Sequence, residues 1–303
     1  MKIQKFLLIS LFGYFFLYSC QEPVKIDQVG FHPKLVLNCV FSPDSLFKVK
    51  VTHALSYNDT SSNILTNANC FLFSENTLLD SLQHIGKGIY VSDIKAENDK
   101  EYTIQVKHPN YPTASATSKA PQKPIITRTE AINNLMYDPY EEEYLTKIIT
   151  YITDRKKRNN YYEFSYKGIL KYDSSQYGFS SYFQSTDNVI TNEGVIDYNP
   201  YILLFSDRMF KNKTYKLHYK INYIDMENYP DSTNYTVYLK YKSVSEAYYA
   251  YVKDISKQTE YYSNSNRFFY TGEPVHVYSN VKNGYGIFAG CSMVMDTLKY
   301  TKQ

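Results

Sequence analysis

The stretch Lys34-Leu35-Val36-Leu37-Asn38-Cys39-Val40-Phe41-Ser42-Pro43-Asp44-Ser45-Leu46-Phe47-Lys48-Val49-Lys50-Val51 decides the fold. Leu35, Leu37 and Cys39 fall on alternate positions, and beyond Ser42-Pro43-Asp44 so do Phe47, Val49 and Val51. Successive side chains of a strand point to opposite faces, so this period of two marks strands with one buried face. The intervening Ser-Pro-Asp supplies turn chemistry, with proline presetting φ. The pattern recurs at Ala68, Cys70 and Leu72, and at Tyr102, Ile104 and Val106. Turns are marked by Tyr57-Asn58-Asp59, Gly86-Lys87-Gly88 and His108-Pro109-Asn110. Several short alternating strands within about 90 residues predict a β-sandwich of the immunoglobulin or fibronectin type over 34–121.

Ala120-Pro121-Gln122-Lys123-Pro124 ends that pattern, because two close prolines disfavour both helix and central strand. The second region, 125–303, reads as a larger β-rich domain with one packed helix. Strands are expected around Ile148 and Tyr151, Tyr162 to Tyr166, Tyr201 to Phe205, Tyr215 to Tyr223 and Tyr235 to Tyr241. The helix is expected near 244–259, where Ser243 and Glu246 match a capping box. Val244, Tyr248, Tyr251, Val252 and Ile255 then follow at helical spacing. The chain holds 34 Tyr and 17 Phe but no Trp, which suits strands with half-buried faces. Few glycines and no repeats argue against a propeller or solenoid.

The N-terminus predicts a destination. Lys2 and Lys5 precede an apolar run from Phe6 to Tyr18, too short to span a bilayer. Leu17-Tyr18-Ser19-Cys20 resembles a lipobox, where bacteria acylate the cysteine and cleave before it. Residues 1–19 are then a lipoprotein signal peptide and 20–33 a tether. Acyl chains contribute about 0.8 kcal/mol per buried CH₂, so several on Cys20 would hold the protein at the membrane lipid. A plain secretory signal is the alternative. The net charge is only +3, and two of its lysines lie in the leader, which argues against a nucleic-acid partner. Cys39, Cys70 and Cys291 remain, an odd number. Cys39 and Cys70 are expected as buried free thiols, with a bridge between them as the alternative.

A family resemblance then appears. Its marks are Lys34-Leu35-Val36-Leu37, Ala68-x-Cys70-x-Leu72, Tyr102-Thr103-Ile104-Gln105-Val106 and Tyr111-Pro112-Thr113-Ala114. Glu246-Ala247-Tyr248-Tyr249-Ala250-Tyr251 and the tail Ser279-Asn280-Val281-Lys282-Asn283-Gly284-Tyr285-Gly286-Ile287-Phe288-Ala289-Gly290 complete it. This set resembles the Bacteroidota lipoprotein family catalogued as domain of unknown function 4249. The resemblance implies an outer-membrane lipoprotein working near TonB-dependent transporters, and it carries no catalytic residues.

Motifs for chemistry are sparse. The six histidines are scattered, without an H-E-x-x-H pair or G-x-S-x-G elbow elsewhere in the chain. Gly178-Phe179-Ser180-Ser181-Tyr182 is read as a loop, and Gly284-x-Gly286 as a turn feeding an apolar strand. Asp187 to Asp197 lacks calcium-loop spacing and is read as a solvated loop. Asp154-Arg155-Lys156-Lys157-Arg158-Asn159-Asn160 is read as an exposed loop, with contact to lipid phosphates as the alternative. No cofactor and no enzymatic activity are expected. The expectation is a binding or accessory module that docks on an outer-membrane transporter or another envelope protein. The alternatives are a structural or adhesive surface protein, or an envelope polysaccharide hydrolase. The candidate contact residues are Tyr177, Phe179, Tyr182 and Phe183, then Tyr261, Tyr262, Phe268 and Phe269, because aromatic anchors dominate interfaces.

Overall fold

The computed structural model describes residues 31–56, 59–138, 143–155, 158–222, 229–264 and 276–301, with backbone alone for 133–138, 143, 260–264 and 301. Cys20, the signal peptide and most of the tether lie outside these residues. The chain is mainly β.

Strands β1 (Leu35–Phe41) and β2 (Leu46–His53) pair antiparallel, with Leu37 opposite Val51. β2 continues to β5 (Ile89–Lys95), and β5 to β4 (Thr77–Gly86). β4 joins two layers. Its first part, to Leu82, pairs with β3 (Asn69–Ser74), and from Gln83 it pairs with β5. β6 (Glu101–His108) and β7 (Tyr111–Lys119) extend the β3 side. The alternating residues meet between the layers: Leu35, Leu37, Cys39, Phe47, Val49, Val51, Cys70, Leu72, Tyr102, Ile104 and Val106 are all buried. Each fully buried Leu, Val, Ile or Phe contributes roughly 1.5–3 kcal/mol over its exposed state.

One strand of this first sandwich comes from the far end of the chain. β15 (Gly284–Thr301) runs parallel to β1, from Leu35 opposite Gly284 to Phe41 opposite Gly290. Phe288 enters the first core, its ring 4.7 Å from that of Phe41, and Val281 joins it. Residues 281–290, assigned from the sequence to the second domain, therefore belong to the packing of the first. The pattern within 34–121 could not reveal this, because a parallel partner can be any distance away in sequence. Gly286 has φ +93°, and a Cβ there would collide with the Leu37 carbonyl, so only glycine lets the two strands run together.

Beyond Gly290 the same strand enters the second region and pairs antiparallel with β14 (Asn234–Val244), from Val244 opposite Cys291 to Asn234 opposite Thr301. β14 pairs with β10 (Tyr161–Tyr172), and β10 with β11 (Ser175–Phe179) and β12 (Leu203–Ser206). Facing them is a three-stranded sheet, β13 (Thr214–Asn222), β9 (Glu143–Thr153) and β8 (Ile125–Asp138). A second core lies between, built of Tyr162, Phe164, Tyr166, Tyr219, Tyr235 and Tyr241 with Ile148, Leu217 and Leu239. Around Tyr219 and Tyr241 the hydroxyls bond one another, whereas Tyr235 Oη is buried without a hydrogen-bond partner. Thr150 Oγ1 lies 2.9 Å from Tyr219 Oη and 3.2 Å from Tyr241 Oη, and Thr129 Oγ1 lies 3.1 Å from Tyr241 Oη. A buried hydroxyl is costly without a partner, so these threonines help Tyr219 and Tyr241 sit in the core.

Besides a short α1 (Asn188–Thr191), one long helix, α2 (Glu246–Asn264), packs against the opposite face of the β10–β14 sheet through Tyr248, Tyr249 and Val252. It starts two residues later than expected. Ser245 Oγ accepts from Tyr248 N at 3.3 Å and caps the helix, while Ser243 stays in β14 opposite Ser292. Among the described residues no helix is long and apolar enough to cross a membrane.

Candidate functional site

The hairpin β10–β11 and the connection after it carry four of the predicted contact residues, and their exposures differ. Tyr177 and Tyr182 are 49% and 41% exposed. Tyr177 stacks on Tyr172 with ring centroids 5.2 Å apart, and Tyr182 packs on the exposed Tyr201 at 4.9 Å. Phe179 is half-buried. It covers Gly168, where a Cβ would strike its ring, and stacks on Tyr235 at 5.5 Å. Phe183 is only 3% exposed and meets Tyr166 and Tyr219 edge-on. It is a core residue rather than a contact residue, because the connection turns inward there and Phe183 N donates to Pro200 O at 2.7 Å. The expected loop at Gly178 to Tyr182 is half strand, since β11 runs to Phe179. Tyr261 and Tyr262 lie on α2, where only the backbone is described, and Phe268 and Phe269 lie outside the described residues.

The basic run does more than project into solvent. Arg158 pairs with Asp99 at 2.5 Å, and Arg155 Nη2 donates to Lys123 O at 2.8 Å. Gln122 Nε2 also reaches Asp99, at 2.9 Å. Burial works to raise the Asp99 pKa, but bonds from Arg158 and Gln122 outweigh it and hold the carboxyl below its ordinary value. The run thereby clasps the second region to the first. Lys156 and Lys157 lie outside the described residues.

Asp187 to Asp197 is likewise more ordered than a solvated loop. Asp187 caps α1 by accepting from Val189 N at 3.0 Å. Among the described residues no group of three or more His, Cys, Asp or Glu side chains could hold a metal ion.

The family model described as Domain of unknown function (DUF4249) matches residues 21–297. The chain belongs to the DUF4249 family. No curated protein matches it. Among solved structures, one titled "Cytokine receptor complex - Crystal form 1A" covers 88% of this chain and 96% of its own at 7% identity, with a TM-score of 0.26. That score is too low to carry an argument about fold or function.

In this DUF4249 chain, two buried carboxylates escaped the sequence reading. Glu163, on β10 facing α2, accepts from Lys242 Nζ at 2.5 Å and from Tyr248 Oη at 2.6 Å. Glu193 accepts from Ser206 Oγ at 2.8 Å, Lys253 Nζ at 2.9 Å and Tyr249 Oη. Burial and the adjacent carboxylates push the Tyr248 and Tyr249 phenols well above their ordinary range, so they stay protonated donors. Every carboxylate oxygen is thus engaged, and the arrangement seats the helix on the sheet. A sequence signal existed for one of them. Glu163 interrupts an aromatic strand, as Lys242 does the strand beside it, and opposite charges favour that register.

Cys39 and Cys70 are free and buried, and desolvation pushes each thiol up to about 12. Cys291 is free and half-buried.

Proposed function

We propose that this DUF4249 chain is a lipid-anchored accessory lipoprotein of a Bacteroidota outer membrane, tethered by acylated Cys20. Its second region docks on an envelope protein such as a TonB-dependent transporter. The observation that carries this reading is the separation between tether and exposed aromatics. The described chain enters β1 at Leu35, level with Gly284 at the start of β15. Tyr177 stands opposite Leu170, which stands opposite Tyr235, itself opposite Tyr300 near the end of β15. At 3.2–3.4 Å per residue those two rows lie roughly 50 Å apart along a straight strand. A tether at one end and paired exposed tyrosines at the other suit a protein held at a surface while a partner is engaged away from it. Tyrosine fits such a contact because it buries a large ring while keeping a polar tip.

Two measurements test this. Mass spectrometry of the processed N-terminus should find acylated Cys20, and Cys20→Ala should lose membrane retention or remain unprocessed. A photo-crosslinker at position 177 should capture a defined outer-membrane protein, and Tyr177→Ala with Tyr182→Ala should abolish its co-purification while anchoring persists. An unmodified residue other than Cys20 at the processed N-terminus defeats the anchor. Unchanged partner recovery by the double variant defeats the docking site.

A further inference from the structure

Where the two sandwiches meet, the structure leaves a cavity of about 280 Å³ that both of them line. Lys119, at the end of β7, comes from the first sandwich. Arg158, Asn159 and Tyr161 come from the clasp and the start of β10, and Ser243 and Glu246 from the end of β14 and the start of α2. Part of this lining is engaged within the protein. Arg158 pairs with Asp99, and Lys211 Nζ donates to Asn159 Oδ1 at 2.7 Å. Asn159 in turn bonds Tyr161, and Tyr161 bonds Glu246. Burial first, and then the Glu246 carboxylate, hold the Tyr161 phenol above its ordinary value, so it stays a donor to that carboxylate.

Other capacity is left over. A guanidinium carries five N–H donors, more than Asp99 can accept, and a carboxylate has lone pairs beyond the one that a single phenol uses. Ser243 is the most telling group. It is only 6% exposed, it lines the cavity, and its hydroxyl makes no hydrogen bond among the described residues. A buried hydroxyl is costly without a partner, so the cavity is where its partner belongs. Charge then selects the ligand class. A simple anion in the cavity would meet Glu246, and a simple cation would meet Lys119 and Arg158. A neutral hydroxylated molecule suits both signs, because each hydroxyl donates and accepts. The volume lies just under the roughly 300–1,000 Å³ of drug-sized sites, which restricts the occupant to a small molecule or the end of a larger one. We propose that this cavity binds one residue of a neutral sugar, with its hydroxyls on Glu246, Arg158 and Ser243. The proposal goes beyond the docking role and does not depend on the lipid anchor.

The test is ligand-observed NMR on the full-length protein in a sugar-free neutral detergent. The probes are the methyl glycosides of glucose, galactose, mannose and N-acetylglucosamine, with inorganic phosphate titrated separately. At least one glycoside should bind at least about tenfold more tightly than phosphate. Glu246→Gln should weaken that glycoside by about tenfold, because it loses a charged acceptor. Ser243→Ala should weaken it by about threefold, the loss of one neutral bond. Circular dichroism and melting temperature should be retained, and Ser243→Ala removes no bond among the described residues, so its effect reads binding rather than folding. Lys299→Gln, on the exposed side of β15, should change affinity by less than about twofold. Absence of binding by all four glycosides overturns the proposal. So does phosphate binding as tight as the best glycoside, unchanged affinity in Ser243→Ala or in a folded Glu246→Gln, or an equal loss in Lys299→Gln.

Discussion

The two sandwiches solve one packing problem with different chemistry. In the first, aliphatic side chains and the rings of Phe41, Phe47 and Phe288 fill the centre, and the buried tyrosines send their hydroxyls to the margin. Tyr90 Oη accepts from Ala68 N at 3.0 Å, and Tyr102 Oη accepts from Glu97 N at 2.9 Å. In the second, tyrosines occupy the centre, and Thr129, Thr150, Tyr219 and Tyr241 form a hydroxyl cluster inside it. A shift in an apolar core costs packing but leaves no polar group unpaired. A hydroxyl cluster demands both layers in one register, because a slip leaves several groups unpaired at once. The second region therefore depends more on exact placement, and its sheet includes β15, a strand that also pairs with β1 in the other sandwich.

The largest expected effect tests that shared strand. Phe288→Ala should destabilise the protein by about 3–5 kcal/mol, read from urea unfolding, because the ring packs on Phe41 and Phe47 inside the first core. A loss near zero would mean that the first sandwich holds without the tail. The next effect separates the two kinds of core. Tyr241→Phe should cost about 1–3 kcal/mol, since it strips a partner from Thr129 and Thr150 in a buried site. Tyr102→Phe, losing one marginal bond, should cost about 0.5–1.5 kcal/mol. Equal losses would erase the distinction between the cores.

The smallest effect concerns the helix and depends on pH. Burial acts to raise the Glu193 pKa, but bonds from Tyr249, Lys253 and Ser206 outweigh it, leaving the folded value below the ordinary 4.5. A depressed carboxylate contributes stability above its unfolded pKa and loses it as pH falls through the folded value. Melting temperature should thus decline below about pH 4.5, and Glu193→Gln should flatten that part of the profile while lowering stability at neutral pH. An unchanged acid limb in the variant would remove Glu193 from the account.

In the first sandwich β1, β2, β3 and β6 were legible because they alternate between proline-, glycine- and asparagine-bearing turns, whereas β4, mostly exposed and without alternation, was not. The helix was legible by its period, although its cap slipped from Ser243 to Ser245 because β14 kept pairing with β15 as far as Val244. The aromatic surface was read less well. Tyr177 and Tyr182 face solvent while Phe183 faces the core. Composition cannot separate them, since an aromatic side chain suits either side of a sheet. Glu163 and Glu193 looked like ordinary charges because their donors come from 79 and 60 residues along the chain.

By itself, the sequence determined the β class, the helix and the turns at Ser42–Asp44, Gly86–Gly88 and His108–Asn110 through local periodicity and turn chemistry, and the family through its motifs; the turn read at Tyr57-Asn58-Asp59 lies mostly outside the described residues. Only the tertiary structure decided that Gly284 to Gly290 runs parallel to β1, that tyrosine hydroxyls meet threonines across two layers, and that Lys119 and Ser243 line one cavity. Each of these is a pairing between distant segments. Local pattern says which face of a strand is buried, but the partner that buries it is chosen by the closure of the whole sheet.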